Sequence, residues 1–290
     1  MRRADSGEEI LSPRKLAFRS FIRHKLGITS SIIVIVLLLI SIFADFISPY
    51  PPLEMHARDS FHRPSLKYWF GTDRLGRDQL SRLIHGTQTS MLVSFGSIGM
   101  ALVFGVLIGL ISGYYGGVLD NVIMRFIDII FAFPVFLLAL VLVAVLGPSM
   151  GNLLIAIGFI YHASFARIVR GLVLSVKEKE FIEGIRSVGA SDVSIILFYI
   201  LPNVTAPVIV QATFKLSTAV MLEAALSFIG LGTQPPMPSW GLMLNDSRQF
   251  MEIAPWLAIF PGVAIAFAAV AFNLLGDALR DALDPRLSQR

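Results

Sequence analysis

EFIEGIRSVGASDVSIILFYILP, residues 180–202, is a charged, glycine-hinged insert between two hydrophobic runs that are each long enough to cross a bilayer. A membrane protein that keeps such an insert uses it to touch something soluble. Lys177, Glu178, Lys179, Glu180, Glu183 and Arg186 precede Gly189, and Ser191 and Asp192 follow it ahead of an amphipathic run to Pro202. Either Ser191 or Asp192 is placed to cap a second short helix after the glycine turn, so the spacing predicts two short helices meeting at an angle under the membrane. A solvated loop carrying ordinary positive-inside charge is the competing reading.

The rest of the chain supplies the membrane. Of 290 residues 55% are hydrophobic and only 15% charged, with a mean hydropathy of +0.72, a balance that a soluble domain of this size cannot spread over its surface. A hydrocarbon core about 30 Å thick needs roughly 20 apolar helical residues per crossing. Six stretches qualify, at residues 27–47, 91–112, 122–146, 152–176, 206–230 and 255–275. Because irregular backbone cannot face lipid, the expected fold is an all-α bundle of six transmembrane helices. The first run is too long for a secretory signal and is expected to be retained. The chain has no cysteine, which removes disulfide frameworks, thiolate metal sites and thiol catalysis together.

Arg2, Arg3, Arg14, Lys15, Arg19, Arg23 and Lys25 crowd the first segment and put the N-terminus in the cytoplasm. Six crossings bring the insert and the C-terminal tail to the same side. Residues 49–90, external in this arrangement, carry six Lys/Arg that Glu54, Asp59, Asp73 and Asp78 partly offset. Three units follow: residues 1–86 (tail, first helix and external loop), 87–277 (transmembrane core with the insert), and 278–290 (cytoplasmic tail). Breaks at Tyr114–Gly117 and Gly147–Pro148 make consecutive helices antiparallel neighbours. Gly105, Gly109 and Gly113 recur every fourth residue, a small-residue face for close helix approach, inside this chain or against another subunit.

The insert resembles the cytoplasmic signature of binding-protein-dependent ABC-transporter permeases, E-A-A, three residues, G, nine residues, I, any residue, L-P. Glu183, Gly189, Leu201 and Pro202 keep its spacing, while Gly184-Ile185 replace the alanine pair and Tyr199 stands for the first isoleucine. GTDRLGRDQLSRLIHG (71–86), GYYGG (113–117), MRFIDIIFAFP (124–134), ARIVRG (166–171), LSFIGLGTQPPMPSWG (226–241), APWLAIFPG (254–262) and FNLLGDALRDALDPR (272–286) look like the C-type permease subunit of dipeptide, oligopeptide and nickel importers.

The resemblance implies a type I importer bundle that forms half of a translocation path. It pairs with a second permease, two cytoplasmic ATP-binding subunits and an external solute-binding protein. No nucleic acid is implied. The chain is not itself an enzyme: no G-x-x-x-x-G-K-[ST] phosphate loop occurs, so ATP and Mg belong to the partner subunits and this chain binds no cofactor. Glu180, Glu183, Gly184, Arg186, Gly189, Ala190, Ser191, Leu201 and Pro202 become the coupling residues. Peptide is the expected solute on family frequency, with nickel or another small solute as the alternative. A self-contained secondary carrier is the rival class, but no inverted repeat supports it.

Ionisable groups inside the membrane are costly and deserve a function or a partner. Arg125 and Asp128, three apart, are expected to pair on one helix face, with a pathway or gate role as the alternative. Glu223 lies well inside the fifth run and about eight residues from Lys215, which leaves two readings, a pathway-facing or gate-linked carboxylate and a partnership with the sister subunit. Outside, Pro235 and Pro236 stiffen the link between the last two helices, and Trp240 is expected either to anchor at the membrane interface or to meet the binding protein. The charges of residues 71–86 fit a short helix on the membrane surface, with no partner assigned.

Overall fold

The structure is a computed structural model that describes residues 20–22 and 24–283. The basic residues from Arg2 to Arg19, Arg23 and the tail from residue 284, on which the orientation partly rests, lie outside the described residues. Among the described residues the chain is helical throughout, with no strand beyond one isolated bridge between Thr72 and Asp78.

Helix α1 (Lys25–Ile42) is apolar on nearly every face and starts at His24, whose ring accepts the Gly27 amide. Helix α2 (Gln79–Tyr115) is 37 residues long, about 55 Å of helix, more than one bilayer core. Its outer turns are set by Asp78, whose carboxylate accepts the Ser81 amide at 2.8 Å as an N-cap. Gly116 and Gly117, both at positive φ, end it and turn the chain into α3 (Gly117–Phe131). A 92° bend then leads to α4 (Val135–Leu146). The expected single span at 122–146 is therefore broken, and Pro134 is the cause. Proline has no amide to donate and excludes the helical conformation from the residue before it, here Phe133.

Helix α5 (Met150–Lys177) is capped by the Ser149 hydroxyl. The insert follows as α6 (Glu180–Ser187), a left-handed Gly189 at φ +84°, and a Ser191-capped turn at Asp192–Ser194. A π-helical stretch, Ile195–Ile200, then runs directly into α7 (Leu201–Phe228). The second short helix expected from the sequence is thus the first turns of a membrane helix and not a separate element, because nothing after Asp192 interrupts the helical backbone. Helix α8 (Trp240–Ser247) lies on the outer side, and α9 (Trp256–Leu283) closes the chain.

The bundle is organised by the seam between α2 and α5, its largest interface. Gly109 faces Ala166 and Val169, and Gly113 faces Val173, so closely that an added Cβ would lie 2.6 Å from the Ala166 carbonyl oxygen and 2.8 Å from Val173 Cβ. The small-residue face therefore packs inside this chain. Around it Leu153, Ile157, Phe165, Leu226 and the insert's Ile182 and Ile195 are fully buried in one apolar core. Helices α1 and α9 join through a second cluster centred on Trp240 and Phe272.

The seam and an open helix position should respond oppositely to a methyl group. Gly109→Ala must push α2 from α5 and is expected to lower the melting temperature of the detergent-solubilised protein, by about 1–3 kcal/mol of stability. Gly99→Ala, on the same helix with no heavy atom within 4 Å of the new Cβ, is expected to raise it by about 0.5–1 kcal/mol. Equal behaviour of the two variants in a thermal-shift assay contradicts this account of the seam.

Candidate functional site

The insert hangs from the inner ends of α2 and α5, where polar groups left by the helix termini find partners. Lys177, in the last turn of α5, donates to the Gly113 carbonyl at 3.0 Å and places its ammonium at the negative end of α2. Arg170 grips Asp120 with two nitrogens at 2.5 and 2.6 Å, and the Ser112 hydroxyl donates to the same carboxylate. Bidentate pairing of this kind fixes orientation as well as distance. These contacts tie α2, α3 and α5 into one frame just above the insert.

Tyr114 connects that frame to the insert. Its hydroxyl donates to Asp192 Oδ1 at 2.6 Å and accepts from Arg186 Nη2 at 3.3 Å, with the guanidinium 5.8 Å from the ring centre. Arg186 and Asp192 stand on opposite limbs of the Gly189 turn, so one phenol staples both limbs to the end of α2. Sequence reading placed Tyr114 in a turn and gave it no role. Its partners are 72 and 78 residues away, and only folding reveals them.

On α6, Ile182 is wholly buried and Ile185 packs on the core, which anchors one face. The other face presents Glu180, Glu183 and Arg186 together with Phe181, 41% exposed; the turn adds Val188 at 84% and Val193 at 61%. Gly189 needs its left-handed backbone and has open space around it, so the constraint there is conformational and not steric. Gly184, where the resemblance leads one to expect alanine, also has nothing within 4 Å of a built Cβ. Ala190 is half-buried behind the turn, Ser191 accepts the Ser194 amide, and Leu201 and Pro202 lie in the first turn of α7. The expected coupling residues are therefore brought together on one projection at one end of the bundle.

The other expectations fare differently. Asp128 does not pair with Arg125; its carboxylate accepts from Arg167 on α5 at 2.6 Å, and Arg167 also stacks 4.0 Å over the Phe131 ring. The pair thus links α3 to α5 instead of two positions on α3. Glu223 is fully buried within this chain, where the hydroxyls of Ser90 and Ser227 donate to its two oxygens at 3.0 and 2.8 Å. Its carboxylate is therefore enclosed by groups of this chain. Trp240 is also fully buried, its indole donating to the Leu83 carbonyl at 3.3 Å, so it is neither an interfacial anchor nor a docking surface. Pro235 and Pro236 remain exposed on the outer loop.

The charges of residues 71–86 form no surface helix. Asp73, Arg77 and Arg82 are all under 10% exposed and converge with Asp246 of α8. Arg77 Nε lies 2.6 Å and Arg82 Nε 3.6 Å from Asp73 Oδ2, while Arg82 Nη2 reaches Asp246 at 3.4 Å. Aromatic pairs finish the external cap, with Phe70 stacked on Phe260 at 3.9 Å and Phe61 against Phe250 at 4.9 Å. Asp59 accepts from Lys67 and Tyr68, each at 2.8 Å, and these donors hold its carboxyl below the ordinary range, led by Lys67. A lowered carboxyl stabilises the fold above its unfolded-state pKa and loses that contribution only as pH falls through the lower folded value, so this cap contact persists into mild acid.

Comparison with known proteins agrees with this geometry. Residues 105–289 match the family described as binding-protein-dependent transport system inner membrane component, and residues 12–64 match the N-terminal TM domain of oligopeptide transport permease C. The chain is 46% identical over 96% of its length, and 91% of the relative's, to a dipeptide transport system permease protein of Alkalihalophilus pseudofirmus. It is 44% identical to a glutathione transport system permease protein of Escherichia coli, covering 97% of this chain and 93% of that one. A solved inward-facing structure of the MetNI methionine ABC transporter shares the fold, with a TM-score of 0.58 at 18% identity over 70% of this chain and 96% of that one.

Two changes check the site's supports. Tyr114→Phe keeps the ring and removes the staple, and should cost about 1 kcal/mol of stability. It should also sharply raise hydrogen exchange at residues 186–192, which is the measurement that tests it. Arg82→Ala leaves Asp73 and Asp246 facing each other with one cation fewer in a buried site and should cost about 3 kcal/mol or more, read as thermal stability of the purified protein. With the bundle, the insert and these similarities together, the chain belongs to the family of binding-protein-dependent transport system inner membrane components, the membrane-spanning, non-catalytic subunits of ABC importers.

Proposed function

We propose that this chain is one half of the translocation path of an ATP-driven peptide importer, and that the 180–202 insert is the surface its ATP-binding partners grip. The observation that carries the coupling role is the cytoplasmic projection itself. Glu180, Phe181, Glu183, Val188 and Val193 stand exposed on a limb whose inner face is locked by Ile182, Ile195 and the Tyr114 staple. Apolar side chains rimmed by charge and held on a rigid support are what a docking surface requires. The names of the relatives, dipeptide and glutathione permeases, support a peptide as the solute.

In this reading the N- and C-termini lie in the cytoplasm of a prokaryotic cell whose inner membrane the chain crosses repeatedly. Residues 1–86 form the entry unit, 87–277 the transport domain and 278–290 a cytoplasmic tail. A second permease completes the path, two ATP-binding subunits carry ATP and Mg, and an external binding protein delivers solute near the exposed Pro235–Pro236 loop. Closure of the ATPases moves the insert. The Lys177, Tyr114 and Arg170–Asp120 contacts then carry that motion into α2, α3 and α5 as a rigid body.

Glu183→Lys reverses a charge on the exposed face of α6, and Gly189→Val forces a β-branched residue into a left-handed turn, a strain of about 1–2 kcal/mol or more. Both variants are expected to insert and to pair with the sister permease, while co-purification of the ATPases and ATP-driven peptide uptake in vesicles fall several-fold. Wild-type levels of both in both variants refute the docking role.

A further inference from the structure

Helix α7 carries four polar side chains, Asn203, Gln211, Lys215 and Thr218, spaced by multiples of about one turn and exposed or half-buried among the buried Val204, Val208 and Leu226. Asn203 and Thr218 spend their donors on carbonyls of their own helix, at 2.7 and 2.9 Å. Such hydrogen bonds are tolerable even in lipid. Gln211 and Lys215 are different: neither side chain has a hydrogen-bond or ion-pair partner among the described residues. The Lys215 ammonium rests 4.9 Å over the ring of Tyr161 on α5, a contact that orients a cation without neutralising it.

Lys215 lies midway along a 28-residue helix, 14 residues from Leu201 and 13 from Phe228, too far from either end for its stem to bring the charge to an interface. A cation at that depth requires water or an anion. Phospholipid phosphates lie at the bilayer surfaces and cannot reach it. The acid on its own helix, Glu223, is two turns away and enclosed by Ser90 and Ser227. We propose that Lys215, with Gln211 one turn below it, is a carboxylate-binding station on the wall of the translocation path, taking the carboxylate of a peptide in transit. The inference rests on the peptide-importer reading and adds to it the group on the solute that the path recognises. Lys215 donates to the carboxylate and Tyr161 holds the ammonium against the α5 side of the path. The Gln211 amide supplies the next donor toward the cytoplasm, so the solute passes from a charged contact to a neutral one and is not trapped.

The chain's lack of cysteine allows a direct test. The full importer, with its sister permease, ATPases and dipeptide-loaded binding protein, is reconstituted with Lys215→Cys. Uptake is expected to fall about tenfold, the loss of one charge-assisted hydrogen bond, with assembly and ATP hydrolysis unchanged. Treatment with aminoethyl methanethiosulfonate rebuilds an ammonium at the position and should restore most of the uptake. The sulfonatoethyl reagent should also modify the thiol, showing that the site is wet, but should leave uptake low. Lys215→Arg should transport nearly normally. Wild-type complex treated with each reagent controls for partner thiols. The inference is overturned by undiminished uptake in Lys215→Cys, by a thiol inert to the sulfonatoethyl reagent in both nucleotide-free and ATP-bound complexes, or by equal rescue with both reagents. Loss of the sister permease on purification of Lys215→Cys makes the residue a subunit contact and also overturns it, with the importer reading intact. Failure of the untreated wild-type complex to take up any peptide removes the importer reading itself.

Discussion

The close approach of α2 and α5 is the contact on which the rest of this structure depends. Association between helices in a bilayer gains little from hydrophobic transfer, because lipid tails are as apolar as the side chains they would replace. What remains is van der Waals contact, which falls off within a fraction of an ångström. Glycine at 105, 109 and 113 lets two backbones come near enough for that contact to be dense along about two turns. Once the helices are fixed at that distance, the Lys177 ammonium falls on the last carbonyls of α2 and Arg170 falls on Asp120. The phenol of Tyr114 then reaches both sides of the Gly189 turn. A seam built of the smallest side chains thus sets the position of the polar assembly that holds the insert.

Buried charges at the two ends of the bundle are paired across helices. At the end away from the insert two arginines and two aspartates share one enclosed site between the start of α2 and α8. Within the span, Glu223 is surrounded by hydroxyl donors that also touch the backbone of Trp240, so one carboxylate joins α2, α7 and α8. Ion clusters of this kind contribute little net stability against an apolar equivalent, but they reject wrong registers strongly, because any slip leaves a buried charge alone. The long α2, with no proline and no break over its 37 residues, is held in register at both ends by such groups.

The membrane character, the helix runs and the insert were legible in the sequence because they depend on local signals: apolar length, turn glycines and the spacing around Gly189. The capping role of Ser191 and the left-handed Gly189 follow from single residues and their neighbours. What escaped was non-local. Arg77 and Arg82 looked like surface charge because their partner Asp246 is more than 160 residues away. Asp128 was assigned its helical neighbour, yet it pairs with Arg167 across a helix contact. Trp240 carried the signature of an interfacial aromatic and was instead enclosed, because α8 folds back over the outer end of α2. Pro134 was visible in the sequence, but the size of the bend it produces between α3 and α4 was not, since that depends on what each half packs against.

The π-helical stretch at Ile195–Ile200 gives the fixed spacing between Gly189 and Leu201-Pro202 a meaning in terms of angle. Successive residues of a helix advance by about 100° around its axis, so one residue more or fewer between the turn and α7 rotates everything beyond it by nearly a third of a revolution. The wider turn absorbs one residue locally, leaving Ile195 and Ile200 both inward and Leu197, Phe198 and Tyr199 outward in succession. An inserted or deleted residue in the outer loop near Pro235 changes only the length of a connection. The same change between residues 190 and 200 swings Glu183 and Phe181 to a different bearing around the bundle, so this stretch acts as a phase setting, and its length is constrained by direction where other connections are constrained by reach.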